Sequence, residues 1–334
     1  MVEIEDLIFQ KDIFVKGGNK VQNNIERTYV SLYRKVICNH FSVENDENIF
    51  LPFKNISNYT RFHLFPLMID AGIEGKFAMK NLQINENLIF DALSNFKERN
   101  MWHTSNIHMG ALAAIKFLKS KKLENIAKKT INSLDKNNFN SSKWLYRGSI
   151  NRVATFYHYL PYIHSQNLEI SNSTKDVLYS DIIGLQNSFG SFCSPNGFSC
   201  IELDAVVVAS YLQLSGYGLR TILKNKLFNH LSNFDSGWPL YGLPYGTHKQ
   251  LIDITKSPVS IQDKLWNLKK IFFDIKKVQL DNGNQELSSK SYDKTLMSNY
   301  FGLVTYLQLL VALKIESKTN IKPIKSFGLS YVIN

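Results

Sequence analysis

The sequence predicts an all-α domain in which about six strongly apolar inner helices alternate with about six more polar outer ones, an α/α toroid or (α/α)6 barrel. Three observations predict it: apolar segments that each open on Ser or Thr, near-even spacing between those openings, and amphipathic segments lying between them. The apolar segments are SNYTRFHLFPLMI from Ser57, SNIHMGALAAIKFL from Ser105, SINRVATFYHYL from Ser149, SCIELDAVVVASYL from Ser199, THKQLIDI from Thr247 and SYDKTLMSNYFGLVTYLQLLVAL from Ser291. Successive starts lie 48, 44, 50, 48 and 44 residues apart.

Each opening Ser or Thr is expected to be an N-cap, its side-chain oxygen accepting a backbone N–H of the first turn. Ser199 with Glu202, and Thr247 with Gln250, also have capping-box spacing. Partner helices are expected at about 84–98, 122–135, 174–187, 217–232 and 260–277, with a further one at about 25–41 closing the ring. Only IFLPF near residue 49 and the tail FGLSYVIN approach a strand pattern, and the tail is expected to pack as an extended strap. Residues 1–334 therefore read as a single domain, with an N-terminal extension at 1–24 and a C-terminal strap at 320–334.

Composition narrows the functional classes. With 44% hydrophobic and 13% aromatic residues in 334, the chain can bury a sizeable core. It has no run of roughly 20 apolar residues, so no integral membrane segment is expected. An acidic start, MVEIEDLIFQ, argues against a secretory signal and for the cytoplasm. Cys38, Cys193 and Cys200 form no paired C-x-x-C arrangement, so neither a metal nor a cofactor is expected. The net charge of +11 comes mostly from lysine, without basic runs interleaved with aromatics, and nucleic acid is not an expected partner. A small-molecule substrate is, while a protein partner or homo-oligomer stays open. No P-loop, nucleophile-elbow or zinc-protease motif occurs.

In a ring, all inner helices start at one end, and the loops leading into them hold Trp102, Trp144, Phe189, Phe192, Trp238, Tyr241 and Tyr245. These aromatics either bind substrate at a cavity mouth or cover helix ends. Three residues into the inner helices stand Thr60, His108, Arg152, Glu202, Gln250 and Lys294. As a collar they offer an acid–base set in His108 and Glu202 and an anion clamp in Arg152 and Lys294; capping alone accounts for the same polarity. His248, next to Thr247 at the mouth, is a further ligand donor.

Glu202 and Asp204 are two residues apart and point roughly 200° away from each other on a helix. Glu202 is placed to reach back to the backbone N–H of Ser199. Asp204 lies too deep for that, on a face shared with Cys200, Val207, Val208 and Tyr211, and is the better general acid or base. Burial would raise its pKa unless Arg152 or a tyrosine hydroxyl satisfied it, and a purely structural inter-helix bond is the alternative.

LQNSFGSF at 185–192 resembles the Q-x-x-x-G-x-F/W element of the terpenoid cyclase and protein prenyltransferase α/α-toroid superfamily, and CIELDA at 200–205 is similar to the head of the following inner helix. The resemblance spans roughly 70 residues. It implies a toroid holding its substrate in a central cavity, an isoprenoid or lipid-like ligand, and cyclase- or transferase-type acid–base chemistry. The D-x-D-D acid motif of the class II cyclases is missing, as is the Asp, Cys and His zinc set of the prenyltransferases. The sequence thus leads to a biosynthetic enzyme with Asp204 at its centre. Glycan-active chemistry on the same ring, with a second carboxylate opposite Asp204, and a non-catalytic binding subunit are the alternatives.

Overall fold

The computed structural model describes residues 24–40, 56–94, 101–140, 148–186, 200–215, 220–235 and 289–315, with isolated positions at 49, 192, 261, 265 and 332–333. These residues are all-helical, without strands. The helices are α1 (Asn24–His40), α2 (Asn58–Asp70), α3 (Gly75–Asn81), α4 (Glu86–Ser94), α5 (Met101–Ile115), α6 (Lys121–Lys136), α7 (Gly148–Ser165), α8 (Asn172–Leu185), α9 (Cys200–Leu214), α10 (Arg220–Asp235) and α11 (Ser289–Leu313).

Burial sorts them into two kinds. In α9 every residue from Glu202 to Leu212 is buried, as is every residue of α7 from Val153 to Ile163. Such helices have packing partners on all sides, which is why their sequences lack a polar face. By contrast α6 buries only Leu123, Ala127, Ile131 and Leu134. Helix α10 buries Leu223, Leu227 and Leu231, spaced four apart. A stripe of that spacing covers one side of a helix, and each leucine placed there contributes about 2 kcal/mol.

The wholly or largely buried helices pack in chain order, α2 on α5, α5 on α7, α7 on α9 and α9 on α11; α1 touches both α11 and α2. The one-sided helices lie across neighbouring members of this series, α8 on α7 and α9, and α10 on α9 and α11. Arg152 of α7 ties the layers by pairing with Asp181 of α8 at 3.1 Å. Asp181 lies inside α8, with Ile182 and Leu185 as buried neighbours.

Helix starts differ from the capping expectation. Ser57 does cap α2, accepting the Thr60 N–H at 3.1 Å. Ser105, however, lies one turn inside α5, and Ser149 and Ser291 are the second and third residues of their helices. A serine signals a cap only when the backbone before it leaves the helix, and the turns preceding Ser105 and Ser291 continue it. Thr247 and the 260–277 partner segment lie outside the described residues apart from positions 261 and 265, and Ser199 lies outside them too.

Two prolines stand inside buried helices, Pro66 in α2 and Pro161 in α7. Lacking an N–H, each leaves the carbonyl four residues earlier, on Phe62 and Tyr157, without its usual helical partner. In α2 that oxygen faces Gly110 of α5, where an added Cβ would stand only 1.9 Å from it. A glycine α-hydrogen therefore points at the freed carbonyl, a weak Cα–H···O contact possible only because no side chain intervenes. At the other end of the chain, the Gln308 amide accepts the Ile333 N–H at 2.9 Å and donates to the Ile333 carbonyl at 3.2 Å. This reciprocal pair holds the C-terminal residues against α11 with Ile333 fully buried.

Candidate functional site

Asp204 lies on the second turn of α9, 1% exposed. Among the described residues, neither carboxylate oxygen has a hydrogen-bond partner. An ionised carboxylate in that position would lack both water and a counter-charge, so burial pushes the Asp204 pKa well above the usual carboxylate range. Burial thus favours the acid form over the ionised one. Arg152, one partner considered for it, is engaged with Asp181.

Tyr157 of α7 is close enough to feel its charge. Burial first, and then the neighbouring Asp204, Asp70 and Cys200, hold the Tyr157 hydroxyl well above the ordinary phenol range. Asp70, the last residue of α2, is fully buried and accepts a long hydrogen bond from the Tyr300 hydroxyl of α11 at 3.5 Å. Tyr300 packs on Tyr33 of α1, ring centres 5.0 Å apart. Cys200, one helical turn before Asp204 on the same face, is half-buried and in no disulfide. Carboxyls, phenols and a thiol from α1, α2, α7, α9 and α11 thus meet in one interior region.

Imidazoles adjoin it. His63 of α2 bonds the Tyr29 hydroxyl through Nδ1 at 3.0 Å and stacks on Tyr59 at 5.7 Å. His158 shares a 2.8 Å hydrogen bond with Ser105. Burial lowers the pKa of His63 to about 4 and that of His158, with His63 adding a smaller effect, to about 3. Both rings are neutral at physiological pH.

The remaining expected residues have other placements. His108 is fully buried, its Nε2–H donating to the Ala92 carbonyl at 2.9 Å. In the neutral ring Nδ1 then accepts from the Tyr159 hydroxyl at 2.7 Å. Burial lowers its pKa to about 4, outweighing the bond to Ala92 that raises it. His108 thereby joins α4, α5 and α7, with both nitrogens committed. Glu202 does not simply serve its own helix start: its Oε1 accepts the Phe192 N–H at 2.8 Å. Phe192, expected at an open mouth, is fully buried. The common offset of the collar is also lost, because Thr60 is the third residue of its helix, Arg152 the fifth and His108 the eighth. Trp144, Trp238, Tyr241 and His248 lie outside the described residues. Trp102 and Lys294 fall on α5 and α11, but their side chains are likewise outside the description.

Among the described residues, no group of three or more His, Cys, Asp or Glu is placed to hold a metal ion. No described helix is long and apolar enough to cross a membrane. Asp70 is the acid that sequence reasoning passed over. Its signal was a carboxylate in the last turn of an apolar helix, where the helix dipole disfavours negative charge.

Neutral histidines make acid a specific stress. An imidazole whose folded pKa is depressed contributes stability that is present above about pH 6.5 and lost as pH falls toward its folded value. For the buried His108 that loss is on the order of 3 kcal/mol, and for His158 on the order of 5 kcal/mol. Urea denaturation of wild type and His158→Asn at stepped pH should show the stability difference shifting in favour of the variant below about pH 6.5. A difference independent of pH would mean that His158 is not held neutral by the fold.

Comparison with known protein families, with curated proteins and with solved structures gave no match.

Proposed function

We propose that the chain is an α/α-toroid enzyme, working in the cytoplasm, which binds a small, partly apolar substrate in its interior and uses Asp204 as the proton-donating acid. The observation carrying this reading is the Asp204 carboxyl itself, buried and, among the described residues, without a hydrogen-bond partner. A fold gains nothing from such a group, whereas a general acid needs one that stays protonated at neutral pH. The toroid is supported by the two kinds of helix, by buried helices packing in chain order, and by α1 touching both α2 and α11.

Tyr157, close enough for Asp204 to raise its pKa, brings an aromatic ring to the acid, and such a ring suits positive charge developing on a substrate, which favours isoprenoid-like alkenes. A second carboxyl, Asp70, is near Tyr157, but both acids are almost wholly buried rather than set across an open polar groove, which weighs against glycoside cleavage.

Protonation of a carbon–carbon double bond leaves a record in heavy water. With linear isoprenoid alkenes and alcohols of increasing length, the product should carry deuterium at a former double-bond carbon, and Asp204→Asn should lose the incorporation. Absence of deuterium across the series would remove the acid role; binding without incorporation would favour a non-catalytic binding subunit.

A further inference from the structure

Helix α6 buries one side, on Leu123, Ala127, Ile131 and Leu134. The opposite side carries Lys121, Lys122, Lys128, Lys129 and Lys136, all exposed, with asparagine and serine between them. Both acids of the helix stand at its flank. Glu124 is half-buried, and Asp135 is taken up by the start of α8, accepting the Ser171 N–H at 3.1 Å and the Ser171 hydroxyl at 2.9 Å. Among the described residues none of the five lysines pairs with a carboxylate. Lys122 lies over the Phe90 ring of α4 instead, its Nζ 4.2 Å from the ring centre.

The basic face continues through the turn between α5 and α6, where Lys119 is exposed, onto α3. Gly75, the first residue of α3, rests against the Phe117 ring of that turn. Beyond it Lys76, Phe77 and Lys80 are exposed together, Phe77 at 51%. From Glu74 to Lys136 the described residues expose eight lysines against three acids, and one of these acids, Glu74, caps α3. Solvation alone would be served as well by alternating signs, which also gain pairing along a helix. A face of one sign, about 24 Å long on the 16 residues of α6, complements an extended anionic surface.

We propose that the lysine face of α6, with the adjoining α3, is a docking surface for an anionic lipid bilayer, its lysines meeting the headgroups and Phe77 entering the interface. Lysine is a compact, strongly hydrated charge that suits a diffuse headgroup layer, and an exposed aromatic flanked by lysines suits the boundary beneath it. Nucleic acid is better met by arginine forks or stacking aromatics, and the exposed side of α6 has neither. The surface does not involve Asp204, so it stands or falls apart from the proton-donor reading.

Co-sedimentation of the full chain with vesicles tests the assignment. Phosphatidylcholine vesicles holding about 30% phosphatidylserine should pellet the protein, and pure phosphatidylcholine vesicles should not. Raising salt from about 0.1 M to about 0.5 M should release most of it, as the Debye length shrinks to about 4 Å. Lys128→Glu combined with Lys129→Glu should weaken binding by about tenfold or more, since each lysine near the surface contributes a factor of about five. Lys224→Glu combined with Lys314→Glu alters net charge equally at exposed lysines on α10 and after α11, and should leave most of the binding intact. Equal sedimentation with neutral vesicles, equal loss in the two double variants, or tighter binding to a short DNA duplex than to the anionic vesicles would each overturn the assignment.

Discussion

Gly110→Ala is expected to destabilise the protein by about 3 kcal/mol or more. The new Cβ would sit 1.9 Å from the Phe62 carbonyl oxygen, 2.6 Å from its carbon and 2.8 Å from its Cα. All three are backbone atoms, so no side-chain rotation relieves the overlap, and α2 and α5 have to separate. Separation also strips the Phe62 carbonyl of its contact, while Pro66 has already removed the ordinary one. Gly75→Ala makes a useful comparison. There the overlap is with the Phe117 ring, 2.2 Å at its nearest, and a side chain has more freedom to move than a backbone. Urea denaturation should rank Gly110→Ala as the worse of the two; the reverse order would mean that the α2–α5 crossing is looser than described.

Asp204→Asn is expected to do the opposite and stabilise the protein near pH 7 while abolishing proton transfer. The unfolded chain ionises an aspartate above about pH 4, whereas the folded chain resists doing so. The wild type therefore loses stability with rising pH until the folded pKa is reached, by up to about 1.4 kcal/mol per pH unit. Asparagine has nearly the same shape and never ionises, so it escapes that loss. Asp204→Ala should fare worse than Asp204→Asn, because it leaves a hole in a stretch of α9 buried from Glu202 to Leu212. A stabilised but inactive variant marks a group kept for function at the expense of the fold.

Helix content was legible in the sequence, and so were the two kinds of helix, because burial on one side or on all sides leaves different apolar periods: α6 and α10 carry one stripe, α7 and α9 carry none. Helix starts were less legible. Ser105 and Ser149 look like Ser57, and only the backbone before them decides whether they cap. Asp204 stood out locally, as an acid in an otherwise apolar helix. Its surroundings did not, since Tyr157, Asp70, Tyr300 and Tyr33 come from four other helices and only the packing order brings them together. Glu202 shows the same limit from the other side: its partner, the Phe192 N–H, is ten residues back, a separation that no helical pattern bridges.

The most direct test of Asp204 as a buried, protonated acid is paired urea denaturation of wild type and Asp204→Asn in steps from about pH 4 to about pH 8. The two should be nearly equal at the acid end, with the variant gaining as pH rises and the gap growing by up to about 1.4 kcal/mol per unit. A gap that stays flat, or a wild type that gains on the variant as pH rises, would show that Asp204 is ionised in the folded protein, and the acid role would fall with it.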